Sequence, residues 1–252
     1  MNRWLALLYG IASYLVFVAT MVYSVAFFGN LCVHRTIDAA PTIPIGQALL
    51  VNVAILVAFA LQHSGMARPA FKRWLSKYLS PVVQRSTYVL ASSLAMIGLM
   101  LLWQPIGWVV WSVEVSPAKE MILASYLVGW LAMCWATFLI DHYELFGLRQ
   151  VWCAFRGVAP CRDPAFRTPA AYRFVRHPIY TGWLIILWAA PVMTISHLVI
   201  ATGLTLYIVL GVRFEEDDLA RRIPCYDQYR RKVPMLLPSW RKRLVTESRE
   251  QG

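Results

Sequence analysis

The stretch Trp4–Phe28, WLALLYGIASYLVFVATMVYSVAFF, carries no charged side chain. As a helix rising 1.5 Å per residue, it exceeds the roughly 30 Å of a bilayer's hydrocarbon core. A signal-peptide core is only about 7–15 residues long, so this run, preceded by Arg3, reads as an uncleaved first span. Five more apolar segments follow, at roughly 46–66, 84–111, 121–140, 178–190 and 194–212. The first four of the six are long enough to cross. The fifth is shorter and should form a tight helical hairpin with the sixth, turning over Pro191–Ser196. Backbone facing lipid has no water to bond, so helices are the only spanning structure that suits these lengths. The expected fold is all-α: a polytopic membrane helical bundle with about six apolar helices, cytoplasmic helices and a basic C-terminal tail, in one domain over 1–252.

Composition agrees. The chain is 59% hydrophobic and 15% charged, against about 25% charged in soluble domains, and its mean hydropathy is +0.53. The formal net charge is +11. The positive charges fall between and after the apolar segments, so anionic lipid headgroups explain them better than nucleic acid does. Arg68, Lys72, Arg73, Lys77 and Arg85 lie between segments two and three, and Arg149, Arg156, Arg162, Arg167, Arg173 and Arg176 between four and five. The tail adds Arg221, Arg222, Arg230, Arg231, Lys232, Arg241, Lys242 and Arg243, whereas the other side has only Arg35 and Lys119. The positive-inside rule then puts both termini in the cytoplasm. Cys32, Cys134, Cys153, Cys161 and Cys225 are scattered and odd in number, which argues against a disulfide framework or a zinc site. The stretch 66–80 mixes aromatic and basic residues and reads as a short helix on the membrane surface. A polar, frayed end is expected after Thr246.

This topology gathers distant residues at one membrane depth. His63 sits near the cytoplasmic end of segment two. Asp141, His142 and Glu144 end segment four, His177 opens segment five, and Glu215, Glu216, Asp217 and Asp218 close segment six. His34 and His197 fall on the opposite side. Ionisable groups near membrane depth are costly and point to function; the alternative is that each only marks a helix end among headgroups.

Segment five opens Tyr172–Gly182, YRFVRHPIYTG. Pro178 suits a first helical turn, whose free N–H groups and dipole favour an anion. Arg176 and His177 add positive charge, and Gly182 admits another backbone or a ligand. A free carboxylate such as an amino-acid tail would fit; an ordinary helix start is the alternative. The acids Glu215–Asp218 oppose the dipole at a helix end. One such carboxylate could accept both hydroxyls of a ribose, or the acids could pair locally with Arg213, Arg221 and Arg222.

Arg176–Gly182 (RHPIYTG), then Glu215–Leu219 (EEDDL), then Tyr226, Tyr229, Val233–Pro234 and Leu237–Pro238, in that order, resemble the isoprenylcysteine carboxyl methyltransferase and phospholipid methyltransferase superfamily. These are integral-membrane enzymes that use S-adenosylmethionine. Nearly the whole remainder is similar to one branch, the bacterial methanethiol S-methyltransferases. That likeness runs through Leu61–Arg68 (LQHSGMAR), Gln84–Leu90 (QRSTYVL), Trp103–Pro105 (WQP) and Asp141–Gln150 (DHYELFGLRQ); Asp141 departs from the branch's more neutral residue. The resemblance implies that 170–240 is the cofactor-binding half. Tyr172, Arg176, His177, Pro178, Ile179, Tyr180 and Gly182 would line S-adenosylmethionine, with Glu215 contacting it and Glu216 as the fallback. Gly211 stands where the superfamily often has a substrate-serving arginine and Arg213 lies closer, so that role does not carry over.

A sulfonium methyl donor needs alignment and dryness rather than a metal. The nucleophile is a thiolate, and even a cysteine thiol has a pKa near 8.5. His63 and His142 are therefore candidate bases, with Arg149, Arg85 or Arg68 stabilising the anion. The expected products are dimethyl sulfide and S-adenosylhomocysteine. Two heavy atoms cap the acceptor's binding energy near ~3 kcal/mol, so it should bind weakly and can enter from the bilayer. The expected partners are this small volatile thiol and membrane lipids, with no nucleic acid and no obligate protein partner. The expected location is the bacterial cytoplasmic membrane, multi-pass, with the active site on the cytoplasmic side. Rival readings are another small thiol, an isoprenylcysteine or a phospholipid as acceptor, or a non-enzymatic lipid-binding or transport protein. The paired histidine boxes of membrane di-iron oxidases are missing, as is the GxGxxG turn of a soluble Rossmann methyltransferase.

Overall fold

The computed structural model describes residues 2–31, 33–158 and 168–238. Cys32, Cys161, Arg162, Arg167, Arg241, Lys242, Arg243 and the polar end after Thr246 lie outside the described residues. In chain order the elements are α1 (Arg3–Phe28), α2 (Ile45–Ala67), α3 (Pro69–Leu75), α4 (Pro81–Leu102), β1 (Val109–Ser112), α5 (Ala118–Ile140), α6 (His142–Leu145), α7 (Leu148–Arg156), a 3₁₀ turn at Ala170–Arg173, α8 (Pro178–Trp188), β2 (Val192–Thr194), α9 (Ile195–Arg222) and α10 (Tyr226–Lys232). Among the described residues, five helices are long and apolar enough to cross a bilayer: α1, α2, α4, α5 and α9. Leu5, Leu15, Leu61, Leu131 and Leu206 are all exposed, as expected where the surrounding solvent is lipid. The protein is a multi-pass helical membrane protein.

Small polar residues let the helices approach. Gly10, Ser13, Thr20 and Ser24 form a buried seam on α1. Ser13, Thr20 and Ser24 donate to carbonyls one turn earlier, Tyr9, Val16 and Thr20, so each hydroxyl is satisfied without water. α5 and α8 meet at glycines: a Cβ on Gly182 would lie 2.8 Å from Met133 Cβ and 2.9 Å from the Gly129 carbonyl oxygen.

The third apolar segment does not stay helical to 111 as expected. Its helix ends at Leu102, because Pro105 lacks an N–H and pushes Gln104 out of the helical region. Buried Asn52 of α2 takes over both backbone groups of Gln104. Its Oδ1 accepts from the Gln104 N–H at 2.9 Å and its Nδ2 donates to the Gln104 carbonyl at 2.7 Å. Val109–Ser112 then becomes a strand, which the all-α expectation did not include, and pairs antiparallel with β2.

That small sheet extends the short helix α8 along its neighbour α9. Trp188 donates to Thr205 at 3.0 Å and His177 meets Glu216 at 3.1 Å. Both intervals are eleven residues (188 − 177 and 216 − 205), so α8 runs antiparallel along only the second half of α9. The extended stretch 189–194 covers the first half. Its polar backbone is satisfied by the β1 segment: Val113 N–H donates to the Pro191 carbonyl at 2.9 Å and Trp111 Nε1 to the Ala190 carbonyl at 3.2 Å. Irregular backbone at depth is tolerated where protein covers it. The expected turn at Pro191–Ser196 is present. The surface helix within 66–80 is α3, with Trp74 and the nearby Tyr78 exposed.

Candidate functional site

The ends of α2, α5 and α9 and the starts of α4 and α8 share one end of the bundle. There α9 continues past 212 to Arg222. The acids Glu215–Asp218 therefore lie inside the helix rather than closing it, and Arg221 and Arg222 occupy the last turn, as the dipole favours.

Adjacent positions on a helix point about 100° apart, and this separates Glu215 from Glu216. Glu216 faces inward and is 4% exposed. Its oxygens accept from Arg176 Nε at 2.6 Å and Nη2 at 3.0 Å, and from His177 Nε2 at 3.1 Å; Arg230 Nε stands 3.6 Å away. Arg176 also donates to the carbonyls of Arg230 and Val233. The chain after α10 folds back onto the start of α8. The N–H groups of Arg176 and His177 bond the carbonyls of Pro234 and Met235 at 2.9 and 3.2 Å, and Thr181 Oγ1 donates to the Leu236 carbonyl at 2.7 Å. The Val-Pro and Leu-Pro stretch thus supplies acceptors that fix the α8 N-terminus. Arg176, expected beside the cofactor, is buried and paired with Glu216, so its guanidinium clasps the start of α8 to α9. Both oxygens of Glu216, the fallback cofactor contact, are engaged within the protein. At Glu216 the partner is Arg176, not the Arg213, Arg221 or Arg222 of the alternative reading.

Glu215 is exposed and accepts from the Tyr180 hydroxyl at 3.1 Å. No side chain caps α8, whose first residues are Pro178, Ile179 and Tyr180. Tyr172 lies within electrostatic reach of Glu215, and its carbonyl accepts from the Tyr229 hydroxyl at 2.6 Å. Burial pushes the phenols of Tyr172, Tyr226 and Tyr229 above the usual range, that of Tyr229 to about 12. All three stay protonated at neutral pH and act as neutral groups. Gly182 is buried against Gly129 and Met133 of α5, so of the two expected uses of its missing side chain the structure shows the close approach of another backbone.

His63 joins the same end from α2. Its Nδ1 bonds Ser92 at 3.1 Å and its Nε2 bonds Tyr88 at 3.0 Å, both on α4. Tyr88 and Tyr180 lie within electrostatic reach of each other and of Tyr207 and Glu215, and Ser64 donates to Tyr207 at 3.1 Å. Arg85 reaches Tyr88 electrostatically while its Nε donates to the Leu145 carbonyl at 2.9 Å. The guanidinium of Arg68 lies 4.7 Å over the Phe214 ring.

His142 and Arg149 belong elsewhere. His142 is buried between α1 and α5, with Nε2 bonded to Tyr14 at 2.8 Å, Nδ1 to Thr137 at 2.7 Å, and its ring stacked 4.2 Å from Phe138. Burial, outweighing the pull of Asp141, holds its pKa below the usual histidine value. Arg149 bonds Asp141 and Glu144. Both residues shared the cytoplasmic depth of His63 along the sequence, but the fold gives them a separate polar cluster that ties α6 and α7 to α1 and α5.

The chain is 45% identical over 239 residues to methanethiol S-methyltransferase of Mycobacterium tuberculosis, covering 94% of this chain and 98% of that one. It is 44% identical over 237 residues to methanethiol S-methyltransferase of Pseudomonas deceptionensis, covering 94% and 90%. The chain belongs to the methanethiol S-methyltransferase family. It is also 33% identical over 187 residues to Nurim of Sus scrofa, covering 69% of this chain and 70% of that one. No family model and no solved structure matches.

For this methanethiol S-methyltransferase relative, the sequence reading missed Tyr88, Ser92 and Tyr207. A signal existed. Tyr207 lies eight residues before Glu215, near two helical turns and so on a similar face. Tyr88 follows Arg85 by one turn within the QRSTYVL stretch. Nothing in the linear order shows that α2 brings His63 to this pair.

Proposed function

We propose that this protein transfers a methyl group from S-adenosylmethionine to methanethiol, releasing dimethyl sulfide and S-adenosylhomocysteine. The observation that carries the reading is the Arg176–His177–Glu216 clasp, which sets the α8 N-terminus and the Glu215–Tyr180 pair beside the Tyr88–His63 pair. The identity to methanethiol S-methyltransferases over nearly the whole chain supports the acceptor.

The residues fit such a donor. The uncapped start of α8 suits its carboxylate, the exposed Glu215 can accept from ribose hydroxyls, and Tyr172 borders the same space. When bound, S-adenosylmethionine supplies an activated methyl on a positive sulfur. The protein's part is to hold this methyl in line with the thiol sulfur, keep water out, and remove the thiol proton. His63 serves as the base, and Arg85 adds a positive field that favours the thiolate. A sulfonium donor needs no metal to activate its methyl. His142 and Arg149, bonded within their own cluster, hold α6 and α7 in place.

The chain crosses by α1, α2, α4, α5, α8 with its extended tail, and α9. The basic residues of the α2–α4 loop and the tail put both termini and the site on the cytoplasmic side. The membrane is the bacterial cytoplasmic membrane.

Purified protein in nanodiscs, given methyl-labelled S-adenosylmethionine and methanethiol, should release labelled dimethyl sulfide into the headspace. Label recovered only in the lipid fraction, or no volatile label from protein that still binds S-adenosylhomocysteine, would overturn the acceptor assignment.

A further inference from the structure

His63 has no ring nitrogen free for a substrate. Nδ1 is bonded to Ser92 at 3.1 Å and Nε2 to Tyr88 at 3.0 Å. One ring face stacks on Phe59, with centroids 5.6 Å apart and planes 18° apart, and Tyr207 stands edge-on at 6.2 Å. A proton can therefore reach this imidazole only through a hydroxyl. Ser92 lies one turn further into α4 than Tyr88, deeper in the hydrocarbon. Tyr88 lies within reach of Tyr180, Tyr207 and Glu215, the side where the methyl donor is placed above.

We propose that Tyr88 is a catalytic residue that touches the acceptor thiol and relays its proton to His63. The inference rests on the reading of a thiol acceptor with His63 as base. In the resting state the Tyr88 O–H donates to Nε2, and Nδ1–H donates to Ser92. The phenol oxygen, which Ser92 also contacts, keeps one lone pair for the thiol S–H. In the reaction the S–H bond breaks as the Tyr88 oxygen accepts that proton, and the Tyr88 O–H bond breaks as its own proton passes to Nε2. The sulfur pair forms the new S–C bond to the donor methyl. The methyl's old C–S bond breaks, and its pair returns to the donor sulfur. One positive charge enters on the donor sulfonium and one remains on His63, which returns its proton to water between turnovers. The charged and titratable groups facing this pair are Arg85 from α4, Tyr180 from α8, and Tyr207 and Glu215 from α9.

The test is Tyr88→Phe in the full-length protein in nanodiscs, with turnover of methanethiol followed from pH 6 to 10 and S-adenosylhomocysteine affinity measured by calorimetry. General-base steps contribute about 10²–10⁴-fold, so kcat at pH 7 should fall at least ~100-fold, with affinity for S-adenosylhomocysteine within twofold of wild type. The loss should shrink about tenfold per pH unit toward the thiol's own pKa, where solvent ionises the acceptor without help. An unchanged kcat, or a loss equal at every pH, would overturn the relay. His63→Gln separates the two readings. If it turns over normally, the base assignment fails and takes the relay with it; if it is slow while Tyr88→Phe is normal, only the relay fails. A proton inventory on wild-type protein reads the same step without a substitution. Rate against deuterium fraction bows for two protons in flight, and a straight line refutes the relay.

Discussion

Glu216→Gln keeps the shape of the side chain at the centre of the clasp and removes its charge. Removing one partner of a buried ion pair costs about 3–5 kcal/mol, because the surviving charge is left uncompensated. Here the survivor is Arg176, whose side chain is 7% exposed. It keeps the carbonyls of Arg230 and Val233 as acceptors, and the glutamine amide oxygen can still take one N–H. The loss therefore belongs at the low end, about 3 kcal/mol. At about 2–4 °C per kcal/mol for a chain of this size, the midpoint of thermal unfolding should fall by about 6–12 °C. Intrinsic tryptophan fluorescence on heating in detergent measures it. The double variant Arg176→Met, Glu216→Leu leaves no buried charge and should recover at least about half the loss. It should not recover fully, because the Arg230 and Val233 carbonyls lose their donor. A drop under about 2 °C for the single variant, or a double variant as unstable as both singles summed, would refute the account of the clasp.

Three further outcomes follow from the same geometry. Glu215→Gln removes an exposed carboxylate without touching the clasp; a charged hydrogen bond is worth about 1.5–3 kcal/mol, so calorimetry should show S-adenosylhomocysteine affinity about 10–100-fold weaker, with the unfolding midpoint unchanged. Gly182→Ala forces a methyl against Met133 and the Gly129 carbonyl, and overpacking of about 1–3 kcal/mol should lower the midpoint by several degrees while leaving cofactor affinity nearly intact, which a ligand-lining glycine would not do. His142 has a folded pKa held below its usual value by burial, so below about pH 6.5 the unfolded chain binds a proton that the folded one refuses. Its contribution is complete above that pH and is lost as pH falls; unfolding measured from pH 7.5 to 5 should show the decline, and His142→Gln should flatten it while turnover persists.

The crossings were legible because hydrocarbon leaves the backbone one inexpensive arrangement. A run such as Trp4–Phe28 has little choice but to be a spanning helix. The motif around His177 and the pair Glu215–Glu216 were legible for a related reason: a proline at a helix start and acids near a helix end are local statements about dipoles and free N–H groups. Packing decided the rest. Glu215 and Glu216 are indistinguishable as letters, yet one turn angle buries the second against Arg176 and leaves the first exposed beside Tyr180. His63 and His142 sit at the same depth on different helices, and only lateral neighbours, Tyr88 and Ser92 for one, Tyr14 and Thr137 for the other, separate a candidate base from a structural rivet. Val109–Ser112 became a strand because the extended stretch beside β2 needed hydrogen-bond partners that no sequence window contains. Depth and helicity follow from each segment's own transfer energy. Which side chains meet follows from contacts between segments far apart in the chain, and these exist only once the helices have packed.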